Sequence, residues 1–557
     1  MRDADLDTDT DPQHAVFRSA AVREIERRAI AREGLDEDAL MARAGRAAWR
    51  CLLECWPQAQ RIGIACGPGN NGGDGYVLAE WARSSGRRVS VVRLGETAKP
   101  GPAQRAAEAF RLAGGEIADF HAEGALPQVD VWVDALFGIG LGRALDGAAA
   151  ALVNALNDAC SKGDSPGRAT GDRDLRTPLF ALDVPSGVDA DTGHAYGVAV
   201  RAALTLSFIC AKPGLFTGRG RAAAGEVRVD ALGLDSHAFE GIEPSARLVR
   251  PERLAHWLPP RARGAHKGRF GHVLCIGGDH GYGGALALCA EAAHRAGAGL
   301  VSAVTRAEHI PMLLARRPEC MAHALGSDAA PDALATLLGR ASALAIGPGL
   351  GQGAWGASLW ESVLARRLPM VIDADALNLL ARRDALRLPN AVLTPHPGEA
   401  ARLLGVTVED VERDRIQAAR RLAARYDATV ILKGAGTVVM SPSTEHRESI
   451  PILVDAGNPG MACGGMGDAL TGIVAGLLAQ FCSTQAATAP HVGSHPSGKP
   501  ISTAAGPIDG IFAAAVCGAL LHSAAADHAA RDGGERGLLA SDLFPYVRRL
   551  ANPEPLR

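Results

Sequence analysis

The sequence lacks the patterns that define several large classes of protein. It has no long basic run, and its net charge of -3 at pH 7 is near balance, which argues against a nucleic-acid-binding protein. Its first residues, Met1 to Asp7, are acidic and polar, whereas a secretory signal begins with basic and apolar residues. The longest apolar run, near Ile511 to Leu521, is too short to span a bilayer and predicts a buried helix. We therefore expect a cytoplasmic protein without a nucleic-acid or membrane partner.

The 11 cysteines form no recognisable pairing or metal-binding pattern. There is no C-x-x-C pair and no His/Cys cluster, and Cys51 and Cys55 have the spacing of neighbours on one helix face. This distribution predicts reduced thiols, as in a cytosolic protein. Lysine is also scarce beside arginine, so Lys433 and Lys267 stand out as candidate functional side chains.

The chain is long enough for more than one domain. It has 557 residues, of which 47% are hydrophobic, so an ample core is available. Residues 233–262 lose the alternation of strands and helices and gain prolines at positions 251, 259 and 260. We therefore predict one domain over residues 1–240 and a second over residues 250–557.

The N-terminal half contains a strand, a glycine-rich turn and a helix in succession. Arg61–Cys66 predicts a buried strand, Gly67–Gly75 a turn, and the helix is expected from Tyr76 to about Ser84. This order is typical of a phosphate or nucleotide site at the switch point of a parallel sheet. The turn satisfies G-x-G-x-x-G, but the next strand, Val89 to Leu94, ends without the acidic residue that dinucleotide dehydrogenases use. The turn also carries side chains suited to a polar ligand or a cation: Asn70, Asn71 and Asp74.

Two further carboxylates lie at the ends of predicted strands. Asp134 belongs to the strand that begins at Val131, and Asp183 follows the strand that begins at Leu179. Such positions line the crevice where ligands bind in α/β sheets. Each aspartate alone is also compatible with an ordinary loop cap.

These motifs together resemble the NAD(P)H-hydrate epimerase family. The resemblance rests on Gly67–Gly75, Val133–Gly138, Asp183–Gly187 and Ala211–Leu215, and it spans residues 18 to 235. Enzymes of that family interconvert the R and S hydrates of NADH or NADPH, which are coenzymes damaged by hydration of the nicotinamide ring. The resemblance implies a Rossmann-like three-layer α/β domain.

The same resemblance assigns roles to particular residues. Asp183 would act as an acid or base at the epimerised carbon, a contribution typically worth about 10²–10⁴-fold. A potassium ion would be bound through oxygen atoms of Asn71, Asp134 and Ser186. Ile139 stands where the family often has a small polar residue, although the glycines around it are intact. The residues implied to hold the substrate are Asn70, Asn71, Gly72, Gly73, Asp74, Gly138, Ile139, Gly140, Leu141, Gly142, Arg143 and Ala144.

The most informative stretch of the C-terminal half is Asn458–Gly472. Its glycines precede a helix whose apolar residues recur at helical spacing from Leu470 to Leu478. Free backbone N–H groups and the positive end of the helix dipole make such a helix start an anion site. Glycine lets the backbone approach a phosphate closely because it has no Cβ.

Asp468 does not fit a simple anion site, because a carboxylate repels a phosphate. The conflict disappears if Asp468 takes a proton from a hydroxyl group that attacks the phosphate. An isolated G-x-G-D would more often be an ordinary helix start. However, the whole stretch resembles the anion-hole motif of ribokinase-like enzymes, so it predicts a phosphoryl-transfer site.

Strands expected near residues 300–305, 343–346, 370–373, 392–394 and 430–433 alternate with helices, which predicts a second, largely parallel α/β domain. Taken one at a time, the turns at the ends of these strands are compatible with ordinary turn glycines, a helix cap or a solvated lysine. In this order, ending at Asp468, they resemble the nucleotide-dependent NAD(P)H-hydrate dehydratase family over residues 255 to 550, which implies a ribokinase-like fold. The turns are Gly347–Gly351, Asp373–Asn378, Thr394–Glu399 and Lys433–Thr437.

In that family ADP, or ATP in some members, phosphorylates the hydroxyl group of the S hydrate, and elimination of phosphate restores the dihydronicotinamide. The resemblance implies that Asp468 activates the hydroxyl group. Magnesium is expected because the transferring phosphates need their charge neutralised. The nucleotide would be bound by Lys433, Gly434, Ala435, Gly436, Thr437, Gly465, Met466 and Gly467. The site that binds the hydrate would be lined by Ala285, Gly349 and His396.

The leading hypothesis is therefore a bifunctional repair enzyme that joins an epimerase to a dehydratase. The alternatives are a vitamin or sugar kinase with an N-terminal binding module, and a non-catalytic binder. A kinase has no use for the four polar residues Asn71, Asp134, Asp183 and Ser186. Residues 158–177 and 482–507 lack core-forming periodicity and predict a mobile surface loop and a disordered insert. We also expect a homo-oligomer.

Overall fold

The structure is a computed structural model that describes residues 14–95, 101–161, 177–326, 331–383, 386–443, 448–482 and 507–553. Both predicted inserts fall largely outside these residues. The described chain divides between Ala246 and Arg247 into two compact units, which we call the N-terminal unit and the C-terminal unit.

The N-terminal unit alternates strands and helices. Its strands are β1 (Ala15–Val16), β2 (Arg61–Cys66), β3 (Arg88–Arg93), β4 (Ile117–Asp119), β5 (Val131–Ala135), β6 (Leu179–Leu182), β7 (Leu204–Phe208) and β8 (Glu226–Asp230). Its helices are α1 (Ser19–Glu33), α2 (Glu37–Cys55), α3 (Asn70–Ser84), α4 (Pro102–Leu112), α5 (Gly147–Ser161) and α6 (Gly218–Ala224).

Seven of these strands form one sheet in the order β4-β3-β2-β5-β6-β7-β8, with every neighbouring pair parallel. Successive side chains of β5 enter different apolar clusters. Val131 and Val133 pack with α2 and α3, whereas Trp132 packs with Leu152 and Leu156 of α5. Because successive residues of a strand point to opposite faces, both faces of the sheet are covered. The predicted three-layer α/β arrangement is confirmed.

The C-terminal unit is a larger α/β domain. Its strands are β9 (Ala246–Val249), β10 (His272–Ile276), β11 (Leu300–Thr305), β12 (Met321–Ala324), β13 (Ala343–Ile346), β14 (Met370–Ile372), β15 (Ala391–Leu393), β16 (Thr429–Leu432), β17 (Val438–Met440) and β18 (Ile452–Val454). Its helices are α7 (Leu254–Trp257), α8 (Gly283–Arg295), α9 (Ile310–Arg316), α10 (Pro331–Arg340), α11 (Ala354–Leu364), α12 (Ala374–Leu380), α13 (Pro397–Leu404), α14 (Val408–Arg413), α15 (Arg415–Tyr426), α16 (Met466–Phe481), α17 (Pro507–Gly533) and α18 (Phe544–Leu550).

The sheet of the C-terminal unit runs in the order β9-β18-β17-β16-β15-β14-β13-β10-β11-β12. Within it, β17 is antiparallel to β16 and β18, and the other pairs are parallel. The largely parallel sheet expected from the sequence is therefore confirmed. Parallel strands bring their carboxyl ends to one edge, and the turns singled out in the sequence lie there.

Two sequence expectations about helices have different outcomes. The helix expected at Tyr76 begins at Asn70, so part of the predicted glycine turn is helical. The apolar run near Ile511 lies in α17, as predicted. One stretch among the described residues, Gly510–Gly533, is long and apolar enough to cross a membrane, and 78% of its most apolar window is buried inside the protein.

The contact between α16 and α8 depends on small residues. A Cβ atom added at Gly472 would lie 2.0 Å from the carbonyl oxygen of Cys289, so the helices would have to separate. We expect Gly472→Ala to lower the free energy of unfolding of the C-terminal unit by about 1–3 kcal/mol. Thermal or urea denaturation of the full chain measures this loss.

Gly339→Ala is the matched control for that variant. Gly339 lies on α10 with no neighbouring atom within 4 Å of an added Cβ atom. Alanine there should be neutral or stabilising by about 0.5–1 kcal/mol because it restricts the unfolded chain. Equal stabilities of the two variants would contradict the close packing of α16 on α8.

Candidate functional sites

A cavity of about 550 Å³ lies at the carboxyl ends of the N-terminal sheet. The chain runs from β2 outward to β3 and β4, then returns to β5 on the other side of β2. This reversal is the topological switch point at which α/β sheets bind ligands. The polar residues of the cavity come from the segments that follow β2, β5, β6 and β7 and from helices α1 and α2.

The structure brings most of the predicted substrate residues to this cavity. Those that line it are Asn70, Asn71, Asp74, Gly138, Ile139, Gly140 and Leu141, and the predicted acid or base Asp183 lines it as well. Gly72 and Gly73 are buried and do not line the cavity. The lining also does not include Gly142, Arg143 or Ala144. Arg23 of α1 donates to the carbonyl oxygen of Ile139 over 3.3 Å, which ties the second glycine loop to the first helix.

The glycines around the cavity serve two purposes. A Cβ atom at Gly67 would lie 1.9 Å from the carbonyl oxygen of Leu136, and one at Gly72 would lie 2.0 Å from that of Gly67. These two glycines are therefore required by the close approach of α3 to the neighbouring loops. In contrast, a Cβ atom at Gly69 or Gly140 would meet no atom within 4 Å, so these positions leave backbone open to a ligand.

Asp183 forms an ion pair that the sequence did not predict. Its Oδ1 atom accepts a hydrogen bond of 2.5 Å from Nζ of Lys212, which is only 1% exposed. The same ammonium group donates to Ser207 Oγ over 3.0 Å and to the carbonyl oxygen of Phe208 over 2.6 Å. All three N–H donors are therefore used, and the positive charge is held against Asp183. Asp183 also has a φ of 64°, a region that residues other than glycine seldom adopt.

The pKa values of two more carboxyl groups in the cavity are raised. Burial raises the pKa of Asp74 well above its usual value, and the charges of Asp183 and Glu26 act in the same direction. Burial, followed by the charge of Asp183, raises the pKa of Glu26. The cavity therefore places three carboxyl groups near one lysine, an arrangement suited to proton transfer.

Asp134 and Ser186 lie beneath the cavity and form one hydrogen-bonded unit. Asp134 accepts from the backbone N–H of Ser186 over 2.8 Å and from its hydroxyl group over 2.7 Å. Burial raises the pKa of Asp134 to about 6. Asn71 is also buried, and neither its Oδ1 nor its Nδ2 atom has a hydrogen-bond partner among the residues that the structure describes. A buried amide without a partner is the kind of group that a bound ion or ligand would satisfy.

The second candidate site lies where α16 begins. Gly465 precedes the helix with a φ of 89°, and Asp468 is in its first turn. Within the described ranges, Asp468 has no hydrogen bond or ion pair, which leaves both carboxylate oxygens available. Burial, followed by the charge of Asp373, raises the pKa of Asp468 to about 7, while Lys433 acts against the shift.

Lys433 lies beside this helix start and is held by carboxylates. Its Nζ atom donates to Asp373 Oδ1 over 2.8 Å and lies 3.9 Å from Glu399 Oε2. The other oxygen of Asp373 accepts from the hydroxyl group of Thr471 over 2.8 Å. A Cβ atom at Gly467 would be 3.3 Å from the Lys433 nitrogen, so the ammonium group lies next to the helix N-terminus.

The structure corrects the interpretation of Asp373 as a helix cap. Asp373 stands at the N-cap position of α12, but its side chain accepts no hydrogen bond from that helix. Its oxygens are instead used by Lys433 and Thr471. The buried Asp373 thus anchors the lysine that the sequence singled out.

Of the three residues predicted to line the hydrate site, Gly349 follows β13, His396 follows β15 and Ala285 lies in the first turn of α8. An added Cβ atom at Gly349 would lie 3.4 Å from the Cβ atom of Ala285, so these two residues are in contact. His396 begins α13, where its Nδ1 atom accepts from the backbone N–H of Gly398 over 3.0 Å. Burial and then the charge of Lys433 lower the pKa of His396, which favours the neutral imidazole.

The turn Lys433–Thr437 follows β16 directly. Gly434 and Ala435 are exposed, and their backbone N–H groups have no acceptor within the described parts of the chain. Gly434 has a φ of 143° and Gly436 a φ of 71°, so both positions favour glycine. The turn therefore presents free N–H donors beside the Lys433 side chain, as a phosphate site requires.

Lys212 is the main functional candidate that the sequence reasoning did not assign. It lies within the motif Ala211–Leu215, and the scarcity of lysine together with its place after the buried strand Leu204–Phe208 is the signal that could have identified it. Glu26 was also overlooked, because it lies on α1 and nothing in its own segment indicates that α1 borders the cavity.

A larger cavity of about 760 Å³ lies at the opposite end of α16, around Gln480 and Phe481. Twelve residues of helix separate Gln480 from Asp468, a distance of about 18 Å. Arg261 in its wall donates to the carbonyl oxygen of Gly297 just beyond α8. Arg261 therefore offsets the negative end of α8, and we assign no site to this cavity.

The chain has the features of an α/β enzyme with two sites. The N-terminal unit holds a lysine–aspartate pair in a switch-point cavity, and the C-terminal unit holds a free aspartate at a helix start that follows glycines. Family models match both units. The model described as YjeF-related protein N-terminus matches residues 37–214, and that described as NAD(P)H-hydrate dehydratase matches residues 273–549.

Relatives match nearly the whole chain. A bifunctional NAD(P)H-hydrate repair enzyme from Coxiella burnetii is 43% identical over 97% of this chain and 99% of that protein. The enzyme of the same description from Escherichia coli is 42% identical over 97% of this chain and 95% of its own. The solved structure of an ADP/ATP-dependent NAD(P)H-hydrate dehydratase from Bacillus subtilis, co-crystallised with ATP and Mg²⁺, is 27% identical and covers 54% of this chain and 95% of that chain, with a TM-score of 0.43.

The chain belongs to the family of bifunctional NAD(P)H-hydrate repair enzymes. The family resemblances inferred from the sequence motifs are thereby confirmed, and so is the prediction of an enzyme with two activities. The roles of individual site residues stay predictions.

Proposed function

We propose that the two units act in succession on one damaged coenzyme. The N-terminal unit interconverts the R and S hydrates of NADH or NADPH, and the C-terminal unit returns the S hydrate to the coenzyme with ADP, or ATP, as phosphoryl donor. The observation that carries the proposal is Asp468, an unpaired carboxylate with a raised pKa at a glycine-led helix start. The sites at Asp183 and Asp468 give the chain one centre for each step.

In the dehydration step, Asp468 takes the proton of the hydrate's hydroxyl group as that oxygen attacks the terminal phosphoryl group. Free N–H groups at the start of α16 stabilise the transferring charge, and Lys433 adds a positive charge nearby. The C–O bond of the phosphorylated hydrate then breaks while the adjacent carbon loses a proton. The double bond is restored, and AMP and phosphate are released when ADP is the donor.

In the epimerisation step, Asp183 exchanges a proton with the ring hydroxyl group. As Asp183 takes that proton, the bond between the hydroxyl-bearing carbon and the ring nitrogen breaks, the carbon becomes a carbonyl and the nitrogen receives a proton. Closure of the ring on the opposite face of the carbonyl reverses these steps and inverts the configuration. Lys212 fixes the orientation of the Asp183 carboxylate through the 2.5 Å contact with Oδ1. The other Asp183 oxygen, Oδ2, lies close to Gly138 of the second glycine loop, where an added Cβ atom would be 3.0 Å from it.

The residues beneath the epimerase cavity fit a potassium ion. Asn71, Asp134 and Ser186 offer amide, carboxylate and hydroxyl oxygens, and the unsatisfied Asn71 amide supports a bound ion there. A bound cation would favour ionised Asp134, whose pKa burial raises to about 6. The ion would supply a positive charge that orients the substrate.

We expect epimerisation, but not dehydration, to depend on potassium. Replacing potassium by choline should lower the epimerisation rate about tenfold or more, as loss of a bound ion removes a fixed charge. Asp134→Asn should make the rate insensitive to the potassium concentration. Initial rates from pure R and pure S hydrate measure both effects, and equal loss of dehydration would contradict the assignment.

Magnesium would enter the dehydratase site with the nucleotide. In the described segments no group of three or more His, Cys, Asp and Glu residues is arranged to hold a metal ion. Magnesium commonly binds through one or two carboxylates together with substrate phosphates. Asp373 is already held by Lys433 and Thr471, so Glu399 is the carboxyl group beside Lys433 that could reach the ion. The ion would neutralise phosphate charge during transfer.

The pH dependence of dehydration tests the role of Asp468. Only the ionised carboxylate can accept a proton, and its pKa is raised to about 7. We therefore expect kcat/KM to fall about tenfold per pH unit below about pH 7 and to be level above it. Rates from about pH 5 to 9 measure this fall. A value of kcat/KM that stays level down to about pH 5, as expected for an aspartate with its ordinary pKa of about 4, would argue against Asp468 as the base.

The reaction itself is tested with purified S hydrate, ADP and magnesium. The expected result is recovery of NADH absorbance, with AMP and phosphate released in equal amounts. A vitamin or sugar kinase would instead yield a stable phosphorylated alcohol and no absorbance change, and that outcome would reject the proposal. We further propose a cytoplasmic homo-oligomer, supported by the 11 free cysteines for the compartment and testable by light scattering for the assembly.

A further inference from the structure

Arg415 is a fully buried charge beneath the turn that follows β16. It is the first residue of α15 and is 0% exposed. One terminal nitrogen, Nη2, donates to the carbonyl oxygens of Leu432 and Lys433 over 3.2 and 3.0 Å. The other, Nη1, contacts Glu412 Oε1 over 2.5 Å. The guanidinium group thus joins α15 to the first residue of the turn.

Gly434 rests directly on this guanidinium group. A Cβ atom at Gly434 would lie 2.8 Å from Nη2 of Arg415, and the φ of 143° already favours glycine. The Nε atom of Arg415 is buried and has no hydrogen-bond partner among the described residues. Burying a charge at such a place is costly, and an apolar side chain of similar size would fill the space equally well. The arginine is therefore better explained by what it does to the turn.

The hydrogen bond to Lys433 fixes the direction of the next peptide group. In a trans peptide, the carbonyl oxygen and the following N–H point in opposite directions. The oxygen of Lys433 points inward to Arg415, so the N–H of Gly434 points outward, where it has no acceptor in the described structure. The buried arginine thereby turns a backbone donor toward the side on which a ligand would bind.

We propose that Arg415 is a positioning residue for the nucleotide phosphates of the dehydratase reaction. It holds the Lys433–Gly434 peptide with its N–H outward and places a positive charge behind the turn. The inference rests on the proposed function, because it requires that the turn Lys433–Thr437 receives a nucleotide. Arg415 itself is buried and does not touch the ligand.

The test compares Arg415→Met and Arg415→Lys in the full chain. Arg415→Met should raise the KM for ADP about 10- to 100-fold, since it removes charge-assisted hydrogen bonds that orient the turn. Arg415→Lys should give a smaller rise, because lysine keeps the charge but cannot span both carbonyl oxygens and Glu412. The kcat at saturating ADP, the KM for the hydrate and the epimerisation rate should change less than about threefold.

Glu409→Gln is the matched control. The Glu409 side chain is 77% exposed and pairs with Arg413, not with Arg415, so the KM for ADP of this variant should stay within about threefold of the parent value. Binding of ADP measured by calorimetry provides a second readout that does not require turnover. If Arg415→Met does not fold, Arg415→Lys alone decides the question.

The outcomes separate this inference from the proposed function. If the parent protein shows no ADP-dependent recovery of NADH, the proposed function fails. If the parent is active and both Arg415 variants keep its KM and affinity for ADP, the inference fails alone. A uniform loss of kcat and thermal stability without a change in ADP affinity would show a merely structural arginine and would also overturn it.

Discussion

Replacing Asp468 by asparagine is expected to abolish recovery of NADH from either hydrate, with a loss in kcat of about 10³- to 10⁴-fold. Asparagine has nearly the same shape, but it cannot accept the hydroxyl proton. The backbone of α16 and the pair between Lys433 and Asp373 should be unchanged, because neither depends on the Asp468 side chain. Initial rates with S hydrate, ADP and magnesium measure the loss.

Three observations should accompany that loss. Epimerisation should be unaffected, and ADP should bind at least as tightly, since a negative charge near the phosphates has been removed. Stability should be equal or higher at pH 8, because the folded-state pKa of about 7 exceeds the ordinary aspartate value of about 4. An acid of that kind destabilises the folded protein increasingly as pH rises between the two values, and asparagine removes this effect.

Glu409→Gln is a suitable surface control in the same unit, because the Glu409 side chain is 77% exposed and pairs only with Arg413 among the described residues. It should leave both activities within about twofold, as isolated surface charges contribute little. If the dehydration rate of Asp468→Asn exceeded about a tenth of the parent rate, Asp468 would not be the base.

Replacing Asp183 by asparagine is expected to slow epimerisation by about 10²- to 10³-fold and to leave dehydration of the S hydrate intact. The asparagine oxygen can still accept the hydrogen bond from Lys212, so the buried lysine keeps its three acceptors. What is lost is the group that exchanges a proton with the substrate. Pure R hydrate should then be recovered only slowly, whereas pure S hydrate should be recovered at the parent rate.

Glu226→Gln is the matched surface control for the N-terminal unit, since its side chain is 61% exposed and pairs with Arg228. It should leave epimerisation unchanged. If Asp183→Asn exchanged the two hydrates as fast as this control, the acid–base role of Asp183 would be wrong. Loss of both activities in Asp183→Asn would point to misfolding instead, and thermal denaturation would reveal it.

The sequence predicted those features that depend on local pattern. Buried strands such as Arg61–Cys66, Leu300–Thr305 and Ala343–Ile346 were predicted with their observed limits, because short apolar runs bounded by glycine or polar residues mark such strands. Asp183 and Asp468 were placed at a strand end and a helix start for the same reason. Parallel sheets then bring such positions to one edge.

The sequence did not predict features that depend on distant partners. Lys212 lies 29 positions from Asp183, and Lys433 lies 60 positions from Asp373. Periodicity indicates which face of an element is buried, but it does not indicate which side chains from different elements will meet. The helical start of α3 at Asn70 was missed because glycine disfavours helices locally, while tertiary packing against the backbone of Gly67 and the side chain of Met41 requires glycine there.

The central claim is that two separate centres in one chain repair the same coenzyme in sequence. The most direct measurement follows NADH absorbance when the protein is given an equal mixture of R and S hydrates with ADP, magnesium and potassium. The account predicts complete recovery with the parent protein. With Asp183→Asn it predicts a fast phase for the S fraction, followed by a much slower recovery of the R fraction. Addition of Asp468→Asn protein should then complete the reaction. Complete recovery with Asp468→Asn alone, or no recovery with the parent protein, would contradict the account.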